Sequence, residues 1–484
     1  MDVDAAEIAR YGEMLNTLGR AFDELIKYEH PDAVRSRASW QAKLTTPLPQ
    51  SGIGIDAVME QLTTVLIPNG GSMVRPGFTG FITTGPTTMG VMAACAASLA
   101  APQRQTIHAF NLVEELSLEW LAELLGLPAN MKGLYSSGGS VANLVALGAA
   151  RQWAFEQQGL DPAAQGCQRD CVIYSSDQSH HTIRRSAGVL GLGRNNVINI
   201  ATDPLGRIIP AELERQILMD LAAGKLPIAI VASAGTTNTG SIDPLQALGE
   251  LARQYEIWFH IDGAYGLYGI LDEQVSELYQ GLALADSVIV DPHKWMGASV
   301  GISATFVRDR DILYRAFTQE PAHYLEGSMN ESRVTHSADS LGLPYGDFGV
   351  ELSSPSRGVV VWAMLQEIGV EGMRDRIVRH NRMARRVADR ARADHRLELL
   401  MEPTLSICCF RYIAPGVTDL DELNRTIYRQ LLQGNVHMPS TTVVAGCLAI
   451  RPCFVGAATS FEYADGLVDE VLRIGDAISQ AEPG

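Results

Sequence analysis

The sequence predicts an α/β protein with three parts: a large domain on a mostly parallel, doubly wound sheet, a smaller C-terminal α+β domain, and an N-terminal helical arm. Three observations carry this expectation. From about residue 85 to 310, short apolar strands alternate with helical segments, the pattern of parallel strands joined by crossover helices. At 484 residues the chain exceeds what one core usually supports, so a second domain is expected. The polar clusters that suggest chemistry each follow a strand or open a helix, where sheets of this kind collect ligands.

Residues 5–28 have helical periodicity, with Ile8, Tyr11, Leu15 and Phe22 on one side, and the proline-containing stretch 44–53 separates them from the rest. Such an arm has little core of its own, so it is expected to pack on a partner subunit. We place the first segment at 1–84, the large domain at 85–357, and a linker helix with the small domain at 358–484. Strands of the large domain are predicted at 171–174, 197–200, 228–234, 257–261, 287–290 and 302–307. The stretch 325–356, rich in Gly, Ser, Asn and Pro, reads as a loop of the long, functional kind. In the small domain, strands at 407–412 and 447–451 alternate with helices at 420–433 and 460–480.

Composition narrows the function classes. A chain that is 46% hydrophobic and 19% charged is an ordinary globular enzyme by usage. Its net charge of −17 argues against nucleic acid as the main partner, because that binding rests on clustered Lys and Arg; a small-molecule substrate is expected. Seven cysteines form neither paired CxxC sites nor a disulfide framework, so reduced thiols and no metal are expected. The start Met1-Asp2-Val3-Asp4 lacks a signal-peptide pattern, and the small-apolar stretch 91–101 is too short to cross a bilayer. We expect a cytoplasmic protein without a membrane segment.

The chain has only five lysines, and Lys294 alone follows an apolar strand, within Asp291-Pro292-His293-Lys294-Trp295. A lysine amine so placed suits capture of an aldehyde cofactor such as pyridoxal phosphate; the bland reading is a surface lysine. In His260-Ile261-Asp262-Gly263-Ala264, Asp262 closes another strand, where it suits a protonated pyridine nitrogen and equally a helix N-cap. Ser136-Ser137-Gly138-Gly139-Ser140 opens a helix, as a phosphate requires, although a plain capped turn reads the same way. After the strand at 171–174, His180 or His181 can stack on a pyridine face, and Ser233-Ala234-Gly235-Thr236-Thr237 places hydroxyls at a further strand end.

Taken in order, these clusters make the chain similar to the pyridoxal-phosphate-dependent group II amino acid decarboxylases, the family of aromatic-L-amino-acid, histidine and glutamate decarboxylases. The similarity runs from about residue 55 into the C-terminal domain, and Trp295 resembles the aromatic branch. The resemblance implies an aspartate-aminotransferase-like, fold-type I enzyme, homodimeric, with its site at the subunit interface and an L-amino acid as substrate. It implies Lys294 as the Schiff-base lysine, Asp262 as the pyridinium partner and His180 as the stacking ring. It further implies Gly139 and Ser140 at the phosphate, Ala264 and Ser233 at the ring, His293 at phosphate or substrate, and Phe81, Thr83 and Thr84 lining the substrate pocket. A tyrosine of the long loop returns a proton to Cα in this family; counting back from Trp362 gives Tyr345, with Tyr324 as competitor. The segment 352–357 and the stretch 77–84 depart from the family pattern, which leaves the substrate open. Rival readings are an aminotransferase, with Arg451 to clamp the carboxylate, and a decarboxylating oxidative deaminase that yields an aldehyde.

Overall fold

The computed structural model describes residues 10–27, 37–101, 103–104, 109–318 and 343–481. Among them, twelve strands run in chain order as β1 (Phe78–Thr79), β2 (Lys132–Ser136), β3 (Cys171–Ser176), β4 (Val197–Ile200), β5 (Leu226–Ser233), β6 (Trp258–Asp262), β7 (Ser287–Val290), β8 (Ser303–Val307), β9 (Leu397–Met401), β10 (Cys409–Tyr412), β11 (Met438–Val444) and β12 (Cys447–Arg451).

Seven of them form the large sheet in the order β2-β8-β7-β6-β5-β3-β4. Its six pairings divide in two kinds: β3 with β4 and β5, β5 with β6, and β6 with β7 are parallel, while β8 runs antiparallel to both β7 and β2. Every residue of β3, β6, β7 and β8 is buried, because helices cover both faces of such a sheet. Strand β2 escapes the sequence reading because Lys132-Gly133-Leu134-Tyr135-Ser136 carries no continuous apolar run. The helix that follows it, Gly139–Glu156, packs across the sheet with Val145, Leu147 and Phe155 fully buried.

The helical run Gly358–Ala393, broken at Gly369 where φ is 63°, leads into the second sheet, of order β1-β11-β12-β10-β9. Its core is a separate apolar cluster that includes Phe410, Ile427, Ile450, Phe454 and Val468. The N-terminal segment contributes to it: β1 pairs in parallel with β11, Phe78 opposite Met438 and Thr79 opposite Pro439. Local pattern gives no sign of a two-residue strand paired with one near the other end of the chain. The arm itself is the helix Tyr11–Lys27, with Tyr11, Leu15, Phe22 and Ile26 exposed; Ile8 lies outside the described residues. No helix among the described residues is long and apolar enough to cross a membrane.

The docking of β1 depends on a glycine. A Cβ on Gly77 would stand 1.9 Å from the carbonyl oxygen of Val436, well inside contact distance. Gly77→Ala is therefore expected to lift Phe78–Thr79 off β11 and to raise the rate of limited proteolysis before residue 85 severalfold. An unchanged digestion pattern would refute the docking.

Candidate active site

The carboxyl ends of β5, β6 and β7 and the start of the helix Gly139–Glu156 converge on a cavity of about 210 Å³. Gly139, Ser140, His180, Ser233, Asp262, Ala264 and Lys294 line it together, with Asn143, Gln178, Thr236, Thr237 and Tyr265. Residues from five separate stretches of sequence thus meet where the topology of an open parallel sheet leaves a crevice.

Lys294 sits in the short turn Pro292–Met296 directly after β7. Its Nζ lies 2.9 Å from Oδ2 of Asp291. Burial works against the charge, but Asp291 and Asp262 outweigh it and hold the ammonium above its ordinary range. Asp291 is itself 1% exposed and accepts a short hydrogen bond from the Ser303 hydroxyl of β8. A Cβ at Gly139 would stand 2.7 Å from the Asp291 carboxylate, so the residue that opens the helix must lack a side chain. Before it, Gly138 has φ 143°, a conformation that glycine adopts without strain.

Asp262 ends β6 and is nearly buried. Its Oδ1 accepts from the Ala264 amide at 3.1 Å and its Oδ2 from Asn143 Nδ2 at 3.0 Å. Across the cavity, His180 Nδ1 lies 2.8 Å from Thr182 Oγ1, and its ring is tilted 39° to that of His181 at a centroid distance of 4.2 Å. Burial lowers the pKa of His180, against the pull of Asp262, and keeps the ring uncharged near neutrality. An amine, a carboxylate, an imidazole and a glycine-led helix N-terminus around one cavity form the donor set that an aldehyde cofactor with a pyridine ring and a phosphate requires; the residues fit pyridoxal phosphate.

Other expected residues lie elsewhere. His293 does not line the cavity; it sits beside Gly138, and its Nδ1 is 2.6 Å from the Ile302 carbonyl. Phe81 is 68% exposed at φ 53°, and neither it nor Thr83 nor Thr84 is part of the cavity wall. Tyr345 is packed against other partners. Its side chain is 1% exposed, its hydroxyl donates a short hydrogen bond to Glu115, and the guanidinium carbons of Arg104 and Arg310 lie 5.3 and 5.8 Å from its ring centroid. Packed into this charged cluster, it is not among the residues that line the cavity. Tyr324 and residues 325–342 of the long loop lie outside the described residues.

Arg451 is also committed. It is 3% exposed and donates to the carbonyls of Asn238 (2.9 Å), Phe81 (2.6 Å) and Thr237 (2.5 Å) and to Ser440 Oγ (3.1 Å). Four bonds from five N–H groups leave no fork for a carboxylate. Two groups escaped the sequence reading: Asp291 as the counter-ion of Lys294, and Asn143 as a cavity residue. The available signal for Asn143 was a carboxamide within the mostly apolar first half of that helix.

The chain is similar to known proteins over most of its length. Residues 40–413 match the family model described as the pyridoxal-dependent decarboxylase conserved domain. An aromatic-L-amino-acid decarboxylase of Bacillus atrophaeus is 31% identical over 77% of this chain and 74% of its own. The acidic amino acid decarboxylase GADL1 of Xenopus tropicalis is 30% identical over 65% of this chain and 59% of its own. A crystal structure of Oryza sativa TDC with PLP and tryptamine superposes with a TM-score of 0.88 at 22% identity, covering 99% of each chain.

The Lys294–Asp291 pair is open to direct measurement. Asp291→Asn keeps the shape and removes the negative charge that favours the ammonium, so the pH midpoint for amine labelling of Lys294 in the cofactor-free protein should fall by about one unit or more. Mass spectrometry of the Lys294 peptide after a brief acylation pulse reads that midpoint. A midpoint equal to that of the unaltered protein would show that Asp291 does not hold the charge.

Proposed function

The chain belongs to the pyridoxal-dependent decarboxylase family, and on that premise we propose that the cavity beside Lys294 converts an L-amino acid with an uncharged, foremost aromatic, side chain to its amine and carbon dioxide. The chain is a pyridoxal-phosphate-dependent amino acid decarboxylase, a carboxy-lyase. The observation that carries the site assignment is the convergence of Lys294, Asp262, His180, Gly139 and Ser140 on one cavity.

Bound there, pyridoxal phosphate supplies an electron sink for the pair left on Cα when carbon dioxide departs. Lys294 would hold the aldehyde end and yield it to the substrate amine. Asp262, oriented by Asn143 and the Ala264 amide, would offer its carboxylate to the ring nitrogen. The amides at Gly139 and Ser140 and the Ser140 hydroxyl would receive the phosphate, where a helix N-terminus favours an anion. His180 would lie against the ring as an uncharged imidazole, and Ala264 and Ser233 complete the wall. In the cofactor-free site Lys294 pairs with Asp291 as an ammonium, the form that could give a proton toward Cα rather than take one.

The side-chain preference rests on charge. Lys294 is the only Lys or Arg among the described residues of the cavity wall, and Asp291 already neutralises it. Nothing on that wall compensates a second substrate carboxylate. Trp295, which resembles the aromatic branch, agrees with this. The aminotransferase reading loses support because Arg451 is spent on carbonyls. A homodimer accounts for the exposed apolar stripe of the arm, Tyr11, Leu15, Phe22 and Ile26, since patches of this kind mark interfaces; light scattering at twice the chain mass is the expected result.

A panel of aromatic, acidic and aliphatic amino acids, with amine, carbon dioxide, keto acid, aldehyde and oxygen all followed, tests the assignment. Aromatic substrates should give equal amine and carbon dioxide, and Lys294→Ala should abolish both the turnover and the visible absorbance of the bound cofactor. Tyr345→Phe should leave the ratio of amine to aldehyde unchanged while lowering the thermal midpoint, because it removes only a buried hydrogen bond. Keto acid without carbon dioxide, or turnover confined to acidic substrates, would defeat the proposal.

A further inference from the structure

We propose that Asn143 is a positioning residue of this site, a single side chain that sets both the carboxylate of Asp262 and the ring of His180. The inference rests on the reading above, in which those two groups serve the cofactor ring.

Asn143 is 1% exposed and lies one turn into the helix Gly139–Glu156. Its Nδ2 donates to Asp262 Oδ2 at 3.0 Å and to Thr182 Oγ1 at 3.2 Å, and its Oδ1 lies 2.9 Å from His260 Nε2. Only one orientation of the amide suits these neighbours, because the flipped one would set an oxygen against a carboxylate. That orientation dictates the protons around it. His260 donates from Nε2, so its Nδ1 accepts from the Ser287 hydroxyl at 2.8 Å, and Ser287 Oγ accepts from Trp258 Nε1, also at 2.8 Å. Burial pushes the pKa of His260 down to about 4, which keeps the ring in the one-proton form this arrangement needs.

On the other side of Asn143, Thr182 receives the amide proton and passes its own to His180 Nδ1 at 2.8 Å. His180 then carries its proton on Nε2. The bonds run in one direction, from Trp258 through Ser287 and His260 to Asn143, and fork there toward Asp262 and toward Thr182 and His180. Fully satisfied buried networks of this kind rigidify the groups they hold. One carboxamide therefore couples the group facing the ring nitrogen to the group facing the ring plane.

The test compares pyridoxal phosphate with its 1-deaza analogue, in which a C–H replaces the ring nitrogen, binding to cofactor-free wild type, Asn143→Ala, Asn143→Asp and Thr182→Val by equilibrium dialysis. Wild type should prefer the natural cofactor. In Asn143→Ala that preference should fall about tenfold, the worth of a hydrogen bond to a charged group, because Asp262 is no longer aimed at the nitrogen. Asn143→Asp, of the same volume but without a donor for Asp262, should lose at least as much and serves if the alanine variant does not fold. Thr182→Val, which breaks only the branch to His180, should keep the preference. A preference that survives in both Asn143 variants, or equal weakening of both compounds, overturns the positioning role alone. Wild-type protein that binds the two compounds equally overturns the reading of Asp262 as the ring partner, and this inference with it.

Discussion

A lysine ammonium is tolerable inside this fold because a carboxylate lies 2.9 Å away. Left alone, a buried charge costs several kcal/mol of lost hydration. Asp291 offsets that cost for Lys294, and the Ser303 hydroxyl steadies Asp291 in turn. The pair then shapes what surrounds it. Asp291 fills the space that a side chain at Gly139 would need, so the helix that opens toward the phosphate site starts on bare backbone. Three elements, β7, β8 and that helix, thus meet around one ion pair, and the polarity of the cavity follows from it.

The turn that carries Lys294 is also braced from the small domain. Trp295 stacks on Tyr265 with ring centroids 4.9 Å apart and planes 21° from parallel. Its Nε1 donates to His380 Nδ1 at 3.0 Å, and His380 Nε2 donates to the Gly456 carbonyl at 3.0 Å. Burial pushes the pKa of His380 down to about 3, and only the neutral ring can accept from the indole. Tyr265 is tied to Ser406 through its hydroxyl, with the Ser406 amide donating to it at 3.1 Å. The aim of the lysine is therefore set by both domains, although every residue that lines the cavity belongs to the large one.

The parts of the fold and site that the sequence disclosed are those governed by local rules. An apolar run followed by a polar cluster marks a strand end, and seven of the named residues meet in one cavity for that reason. What stayed hidden depends on distant partners. Tyr345 was located by counting along the chain, yet its position is decided by Glu115, Arg104 and Arg310. Phe81, Thr83 and Thr84 follow a strand whose partner, β11, lies hundreds of residues away. Asn143 reads as a polar residue in the mostly apolar first half of a helix until β6 and its His260 and Asp262 are placed beside it. The lysine was visible; the aspartate three residues before it, in the same motif, acquires its meaning only when the turn folds back.

The pairing of β1 with β11 has a consequence for how the protein is made. A strand at residues 78–79 emerges from the ribosome about 360 residues ahead of its partner at 438–444. At about 5–20 residues per second, the early strand waits on the order of tens of seconds for its place in the sheet. During that interval the apolar side chains of the arm, Leu15 and Phe22 among them, are already outside the ribosome and exposed. The large domain, whose strands all lie between residues 132 and 307, can close well before then. Synthesis thus separates two events, the assembly of the cavity and the docking of β1 on the small sheet, and it is the wait for the second that exposes the nascent chain to chaperones and proteases.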